Sequence, residues 1–161
     1  MKMLLAVDES KNAERMVEYV GTLLHRTPDV TLTLLHVLKP LPRKLLEHGG
    51  SENPVTEGQL QSQLKQDQAE WYRTQAEAEC PYLLRARDLL IKAGLRSEGI
   101  ELKFGHEEDI ARNILEEARS GGYRTIVLGR YGTSSMKRIF GGGITDHVLK
   151  EATGMAVWII E

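Results

Sequence analysis

Residues 3–7 read Met3-Leu-Leu-Ala-Val7, an apolar run without alternation that ends at Asp8. A continuous apolar run of this length is typical of a strand buried on both faces of a parallel sheet. Residues 11–25 then change to a helical period, and residues 31–38 return to a β-rich apolar run. A strand, a helix and a strand in this order predict a parallel crossover, which is the basic unit of an α/β fold.

The rest of the chain continues this alternation. Proline and glycine punctuate residues 39–56, which predicts a long exposed loop. Residues 56–93 are rich in helix-forming side chains and predict one long helix, with Pro81 as a candidate break. Residues 97–104 alternate polar and apolar side chains, as an edge strand does. The remaining elements are predicted at 107–119 (helix), 125–128 (strand), 144–152 (helix) and 155–160 (strand). We therefore expect an open, doubly wound parallel sheet in one domain, residues 1–161.

Composition and charge restrict the class of function. The chain has 21 basic and 23 acidic residues and a formal net charge of −2, which does not support nucleic-acid binding through a basic surface. The N-terminal apolar run is shorter than the roughly 7–15 residues of a signal peptide or the ~20 of a membrane helix. Cys80 is the only cysteine, which fits a reducing compartment. We expect a cytoplasmic protein that binds neither nucleic acid nor a membrane.

The segment after the fourth predicted strand has the composition of a phosphate-binding loop. Residues 129–145 read GRYGTSSMKRIFGGGIT. Its glycines allow close backbone approach, and successive N–H groups can form a nest for an anion. The segment leads into the N-terminus of the last helix, where the dipole favours phosphate. This pattern suits a diphosphate or triphosphate; the alternative is a glycine-rich loop that only forms turns.

Five motifs in the expected order resemble those of the universal stress protein family. Gly129, Gly132 and Gly142 match the family's spacing of Gly, two residues, Gly, nine residues, Gly. The other similar segments are Leu4–Ser10, Leu34–Val37, Gly105 with Glu107, Glu108 and Ile110, and Ala156–Ile160. The resemblance covers nearly the whole chain. It implies a five-stranded sheet of order 3-2-1-4-5, with helices on both faces.

The resemblance also implies a ligand, ATP or another adenine nucleotide, with Mg²⁺ as the expected companion of ATP. Asp8 would lie near the ribose, and Val37 would offer backbone groups to the adenine edge. The loop glycines would pass beneath the ribose and phosphates. The implied nucleotide-binding residues are Val7, Asp8, Val37, Gly129, Arg130, Gly132, Thr133, Gly142, Gly143, Ile144 and Thr145. No catalytic residue is implied, so any ATP hydrolysis would be slow.

One position departs from the family pattern and keeps an alternative open. The family has Ser or Thr after the third loop glycine, and this chain has Gly143. A lost hydrogen bond to a charged group is worth roughly 1.5–3 kcal/mol, or about a factor of 10–150 in affinity. Thr145 is a candidate substitute. The first hypothesis is a nucleotide-responsive stress module, the second is a nucleotide-free protein-interaction module, and the third is a hydrolase or transferase acting on an adenylate.

Assembly and the histidines complete the expectations. The apolar last strand, residues 155–160, would lie at a sheet edge and predicts a homodimer, as the family resemblance also implies. His36 lies within an apolar strand and is predicted to be a buried, hydrogen-bonded side chain rather than a ligand. The five histidines have no metal-ligand spacing, so no metal site is predicted in the protein itself.

Overall fold

A five-stranded parallel sheet of order β3-β2-β1-β4-β5 forms the centre of the computed structural model, which describes residues 1–47, 49–106, 109–130 and 143–161. All neighbouring strands of this sheet are parallel. The strands are β1 (Lys2–Ala6), β2 (Thr31–Val37), β3 (Ile100–Gly105), β4 (Thr125–Gly129) and β5 (Ala156–Ile160). The helices are α1 (Lys11–Leu24), α2 (Pro54–Lys92), α3 (Ile110–Ser120) and α4 (Ile144–Glu151). The predicted fold class and strand order are confirmed.

Two apolar cores cover the two faces of the sheet. Leu5 of β1 belongs to the core beneath α1 and the C-terminal part of α2, while Leu4 belongs to the core beneath α3 and α4. Successive side chains of a strand point to opposite faces, so a strand covered on both sides presents apolar side chains to both cores. This is the physical reason for the unbroken apolar run in β1.

Helix α2 runs without interruption from Pro54 to Lys92, so the break considered at Pro81 does not occur. A proline inside a helix removes one N–H and leaves the carbonyl four residues earlier without its donor. That carbonyl belongs to Glu77, and both Glu77 and Pro81 are exposed, so water can supply the missing hydrogen bond. The buried residues of α2 are Leu83, Ala86 and Leu90, all beyond the proline.

Two other boundaries differ from the prediction because local side chains and turns set them. Helix α3 begins at Ile110, since the Asp109 side chain accepts the Arg112 amide at 3.1 Å and caps the helix. Glu107 and Glu108, which were expected to begin this helix, lie outside the described residues. Strand β3 begins at Ile100 because a 3₁₀ turn occupies residues 97–99.

Candidate functional site

The carboxyl ends of β1, β2 and β4 meet at one edge of the sheet. Strand β1 lies in the middle, with β2 on one side and β4 on the other. The chain leaves β1 toward β2 and later returns to the opposite side of β1, so strand order reverses between β1 and β4. Open α/β sheets bind their ligands in the crevice at such a reversal, outside the carboxyl ends of the strands.

A tight turn after β1 holds Asp8 at this edge. Oδ1 of Asp8 accepts hydrogen bonds from the Ser10 amide at 3.0 Å and from the Ser10 hydroxyl. The Ser10 Oγ in turn accepts the Ala13 amide at 3.1 Å and caps α1. Asp8 is half-buried. One chain of hydrogen bonds therefore links the carboxylate, the serine and the first turn of α1.

The β1–β2 ladder ends at this edge in an unusual way. Its last pair is Ala6 with Leu35, and the Val7 N–H donates to the Leu35 carbonyl at 2.9 Å. If the parallel ladder continued, the next bond would run from the Val37 N–H to the Val7 carbonyl. The ladder between the described strands stops before that bond, so the backbone of Val37 extends past the end of β1.

The His36 side chain takes the place of the missing ladder bond. Its Nδ1 lies 2.8 Å from the Val7 carbonyl oxygen. A carbonyl can only accept, so Nδ1 carries the hydrogen and donates it. The other ring nitrogen, Nε2, contacts the Glu79 carboxyl group of α2. His36 is 3% exposed and hydrogen-bonded on both sides, as predicted for a core histidine.

The start of α4 lies against the end of β4. Gly143 is the N-cap residue and supplies no side-chain cap, and the Thr145 hydroxyl lies 3.5 Å from the Gly129 carbonyl, at the limit of a hydrogen bond. No described atom lies within 4 Å of the position that a Cβ on Gly143 would occupy. The first turn of α4, with Ile144, therefore keeps amide groups that no described side chain caps.

Arg130 turns toward the edge strand β5. Its amide donates to the Ile160 carbonyl at 2.8 Å, and its guanidinium lies 3.1 Å from the Glu161 carboxylate. The implied binding residues Gly132, Thr133 and Gly142 lie outside the described residues. Among the residues that are described, no group of three or more His, Cys, Asp or Glu side chains could hold a metal ion.

Residues 1–160 match the family model described as "Universal stress protein family". The chain belongs to the universal stress protein family. No helix in the described part of this universal stress protein is long and apolar enough to cross a membrane. No curated protein matches the chain.

Solved structures of universal stress proteins share the fold. UspA from Lactobacillus plantarum is 18% identical, with a TM-score of 0.67 over 100% of this chain and 97% of that one. The universal stress protein from Archaeoglobus fulgidus in complex with dAMP is 18% identical, with a TM-score of 0.60 over 100% and 98%. A universal stress protein in complex with cAMP is 16% identical, with a TM-score of 0.64 over 100% and 96%.

Sequence reasoning missed Glu79 as a member of this edge. Glu79 is 43 residues from His36 along the chain and lies in a helix with three other glutamates, from which no local pattern distinguishes it. Only the packing of α2 on the sheet brings it to His36.

A shallow cleft beside Asp8 lies on the same side of the sheet. It is lined by Val7, Tyr82, Glu14 and Arg85. Glu14 and Arg85 form an ion pair, with 2.9 Å between the carboxylate oxygen and the guanidinium nitrogen.

Proposed function

We propose that this universal stress protein binds an adenine nucleotide at the carboxyl edge of β1, β2 and β4. The observation that carries the proposal is that β1 and β4 are adjacent strands. The acceptor, the Asp8 carboxylate, follows β1, and the donors, the amide groups at the start of α4, pack against the end of β4. Ala6 pairs with Leu128, which places Val7 and Asp8 beside Gly129 and the uncapped start of α4. Neighbouring strands lie about 4.8 Å apart, a spacing that a ribose phosphate can bridge.

Each part of the edge suits a different part of a nucleotide. The Asp8 carboxylate can accept hydrogen bonds from ribose hydroxyls. The backbone amides at the start of α4 and the helix dipole favour phosphate oxygens. No other described residue comes within 4 Å of the Gly143 Cβ position, which leaves room for them among the described residues. Two universal stress proteins of this fold are complexes with dAMP and with cAMP, which supports the proposal that the ligand contains an adenine base.

ATP is the specific ligand that we propose, and Mg²⁺ would enter with it. Mg²⁺ is commonly held by nucleotide phosphates, a few carboxylates and water rather than by a protein cage. The Asp8 carboxylate lies at the proposed ribose position, and its Oδ1 already accepts two hydrogen bonds. The role that we propose is regulation through nucleotide occupancy in the cytoplasm, with at most slow hydrolysis.

Two measurements test the proposal. Chromatography of the material that the purified protein releases on denaturation should show an adenine nucleotide, and calorimetry should show binding of Mg-ATP. Asp8→Ala should weaken binding at least tenfold, while Glu9→Ala, an exposed neighbour, should leave the affinity unchanged. An empty protein that gives no calorimetric signal would instead select the nucleotide-free interaction module, which the missing hydroxyl at Gly143 favours.

We also propose that β5 pairs with its copy in a homodimer. β5 is an edge strand of the sheet, and its Ile159 side chain is 40% exposed. An apolar, unpaired edge invites a second strand. Sedimentation at micromolar concentration should show a dimer, and Ile159→Lys should shift it to monomer. A wild-type monomer would contradict this assembly without affecting the nucleotide site.

A further inference from the structure

We propose that His36 is a positioning residue for adenine recognition, because its ring takes the Val7 carbonyl and leaves the Val37 N–H for the base. The inference rests on the proposed nucleotide function and deepens it. Two donors could satisfy the Val7 carbonyl: the Val37 N–H in a continued ladder, or the His36 ring. The described geometry contains the second arrangement, with Nδ1 at 2.8 Å.

The Val7 carbonyl needs a donor because its residue is 6% exposed. A buried carbonyl without a partner is costly, so loss of the His36 hydrogen bond should draw the Val37 N–H into the ladder. The Val37 N–H would then bond to the end of β1 and would no longer be available to the adenine base. The peptide unit between Val7 and Asp8 is planar, so fixing this carbonyl also fixes the direction in which Asp8 leaves the strand.

Glu79 and two aromatic side chains hold the His36 ring in place. Glu79 contacts Nε2 and is itself mostly buried, with a side chain 13% exposed. The rings of Tyr82 and Phe104 lie 6.0 and 6.1 Å from the imidazole, measured between centroids. Nδ1 donates its hydrogen to the Val7 carbonyl. A hydrogen bond between Nε2 and the Glu79 carboxyl oxygen therefore needs a second proton, shared between these two atoms. Helix α2 therefore supports the position of the His36 ring through Glu79 and Tyr82.

The test compares two variants that differ only in the donor at residue 36. Both carry Glu79→Leu, which avoids leaving a buried carboxylate without its partner. One adds His36→Leu, and the other adds His36→Asn, whose side-chain amide has the size of Leu and can donate to Val7 as Nδ1 does. Thermal unfolding identifies the temperature at which both are folded. Glu70→Leu, at an exposed position of the same helix, is the control.

Calorimetry with ATP and with inorganic tripolyphosphate separates base recognition from phosphate binding. We expect the His36→Leu variant to bind ATP at least tenfold more weakly than the His36→Asn variant. Both should bind tripolyphosphate equally, because the start of α4 is unchanged. Equal ATP affinity in the two variants, or an equal loss for tripolyphosphate, would overturn the positioning role. A wild-type protein that binds no ATP would count against the proposed function instead.

Hydrogen exchange of the ligand-free protein gives an answer that does not depend on nucleotide. In the His36→Leu variant the Val37 amide should exchange at least tenfold more slowly than in the wild type, since it joins the ladder to Val7. In the His36→Asn variant and in the Glu70→Leu control it should exchange as in the wild type. An unchanged Val37 rate in the His36→Leu variant would overturn the inference, whatever the wild type binds.

Discussion

The Asp8 carboxylate and the Ser10 hydroxyl form a hydrogen bond in the turn that follows β1. The Ser10 hydroxyl donates to Asp8 Oδ1 while its oxygen accepts the Ala13 amide, so one serine serves both the site and the helix. The N-cap of α1 and the position of the Asp8 carboxylate thus depend on the same side chain. This dependence makes the stability of α1 and the geometry of the site measurable through one substitution.

Ser10→Ala should lower the free energy of unfolding by about 0.5–2 kcal/mol, because it removes the side-chain cap of α1. It should also weaken ATP binding, because Asp8 loses its hydroxyl donor. Urea denaturation measures the first effect and calorimetry the second. Ser62→Ala is the matched control: Ser62 is exposed inside α2 and bonds the Gly58 carbonyl, so its loss should not reduce stability. An equal loss for both would contradict the capping role.

Gly143→Ser should tighten ATP binding by about tenfold, because it adds a hydroxyl beside the first amides of α4. The backbone at Gly143 has φ −67° and ψ 166°, which a serine N-cap adopts without strain, and its Cβ position is open among the described residues. Adenosine, which has no phosphate, should bind both proteins equally in calorimetry. Gly143→Ala supplies the Cβ without the hydroxyl; the same gain in that variant would show that the hydroxyl is not responsible.

Tyr123→Phe should destabilise the protein by about 1 kcal/mol, because it removes the phenol hydroxyl, which bonds Thr33 in the core and also lies 3.3 Å from a Glu117 carboxylate oxygen. The Tyr123 hydroxyl donates to Thr33 Oγ1 at 2.9 Å, and Thr33 donates to Glu101 at 3.0 Å, so the phenol is part of a relay. Tyr19→Phe is the control, since Tyr19 is 56% exposed. Chemical denaturation should separate the two variants; equal stability would mean that the relay adds nothing.

The Lys103–Glu117 pair should make stability depend on alkaline pH. The hydrogen bond from the Lys103 ammonium to Glu117 raises the pKa of Lys103 above its ordinary value. A raised folded-state pKa stabilises the folded protein below the unfolded pKa, near 10.4, and this contribution disappears as pH rises through the folded pKa. The effect should be small, because the Lys103 side chain is 45% exposed.

Lys103→Met is the variant that measures this contribution. The difference in unfolding free energy between the wild type and Lys103→Met should be constant near neutral pH and should shrink as the pH passes about 10.4. Lys92→Met, at the exposed end of α2, provides the comparison, because Lys92 forms no ion pair with any residue that the structure describes. A difference that stays constant to high pH would contradict the pairing.

Most strands of the sheet could be predicted from the sequence, because a strand that is buried on both faces has a continuous run of apolar residues. Residues 3–7 and 126–128 are apolar at every position, and the structure places both strands inside the sheet, with a neighbouring strand on each side. The boundaries were harder to predict because single side chains set them. Asp109 starts α3 by accepting the Arg112 amide, and Pro81 fails to stop α2 because water can reach the carbonyl that it leaves unpaired.

By itself, the sequence determined the family, the order of helices and strands, and which loops follow the carboxyl ends of the strands, because these depend on patterns between near neighbours. Only the tertiary structure decided that Glu79 meets His36 and that His36 takes the Val7 carbonyl from Val37. Those contacts join residues 29 and 43 positions apart. Such contacts depend on how α2 and β2 pack together. The pattern of neighbouring residues in the sequence does not show which distant side chains this packing brings into contact.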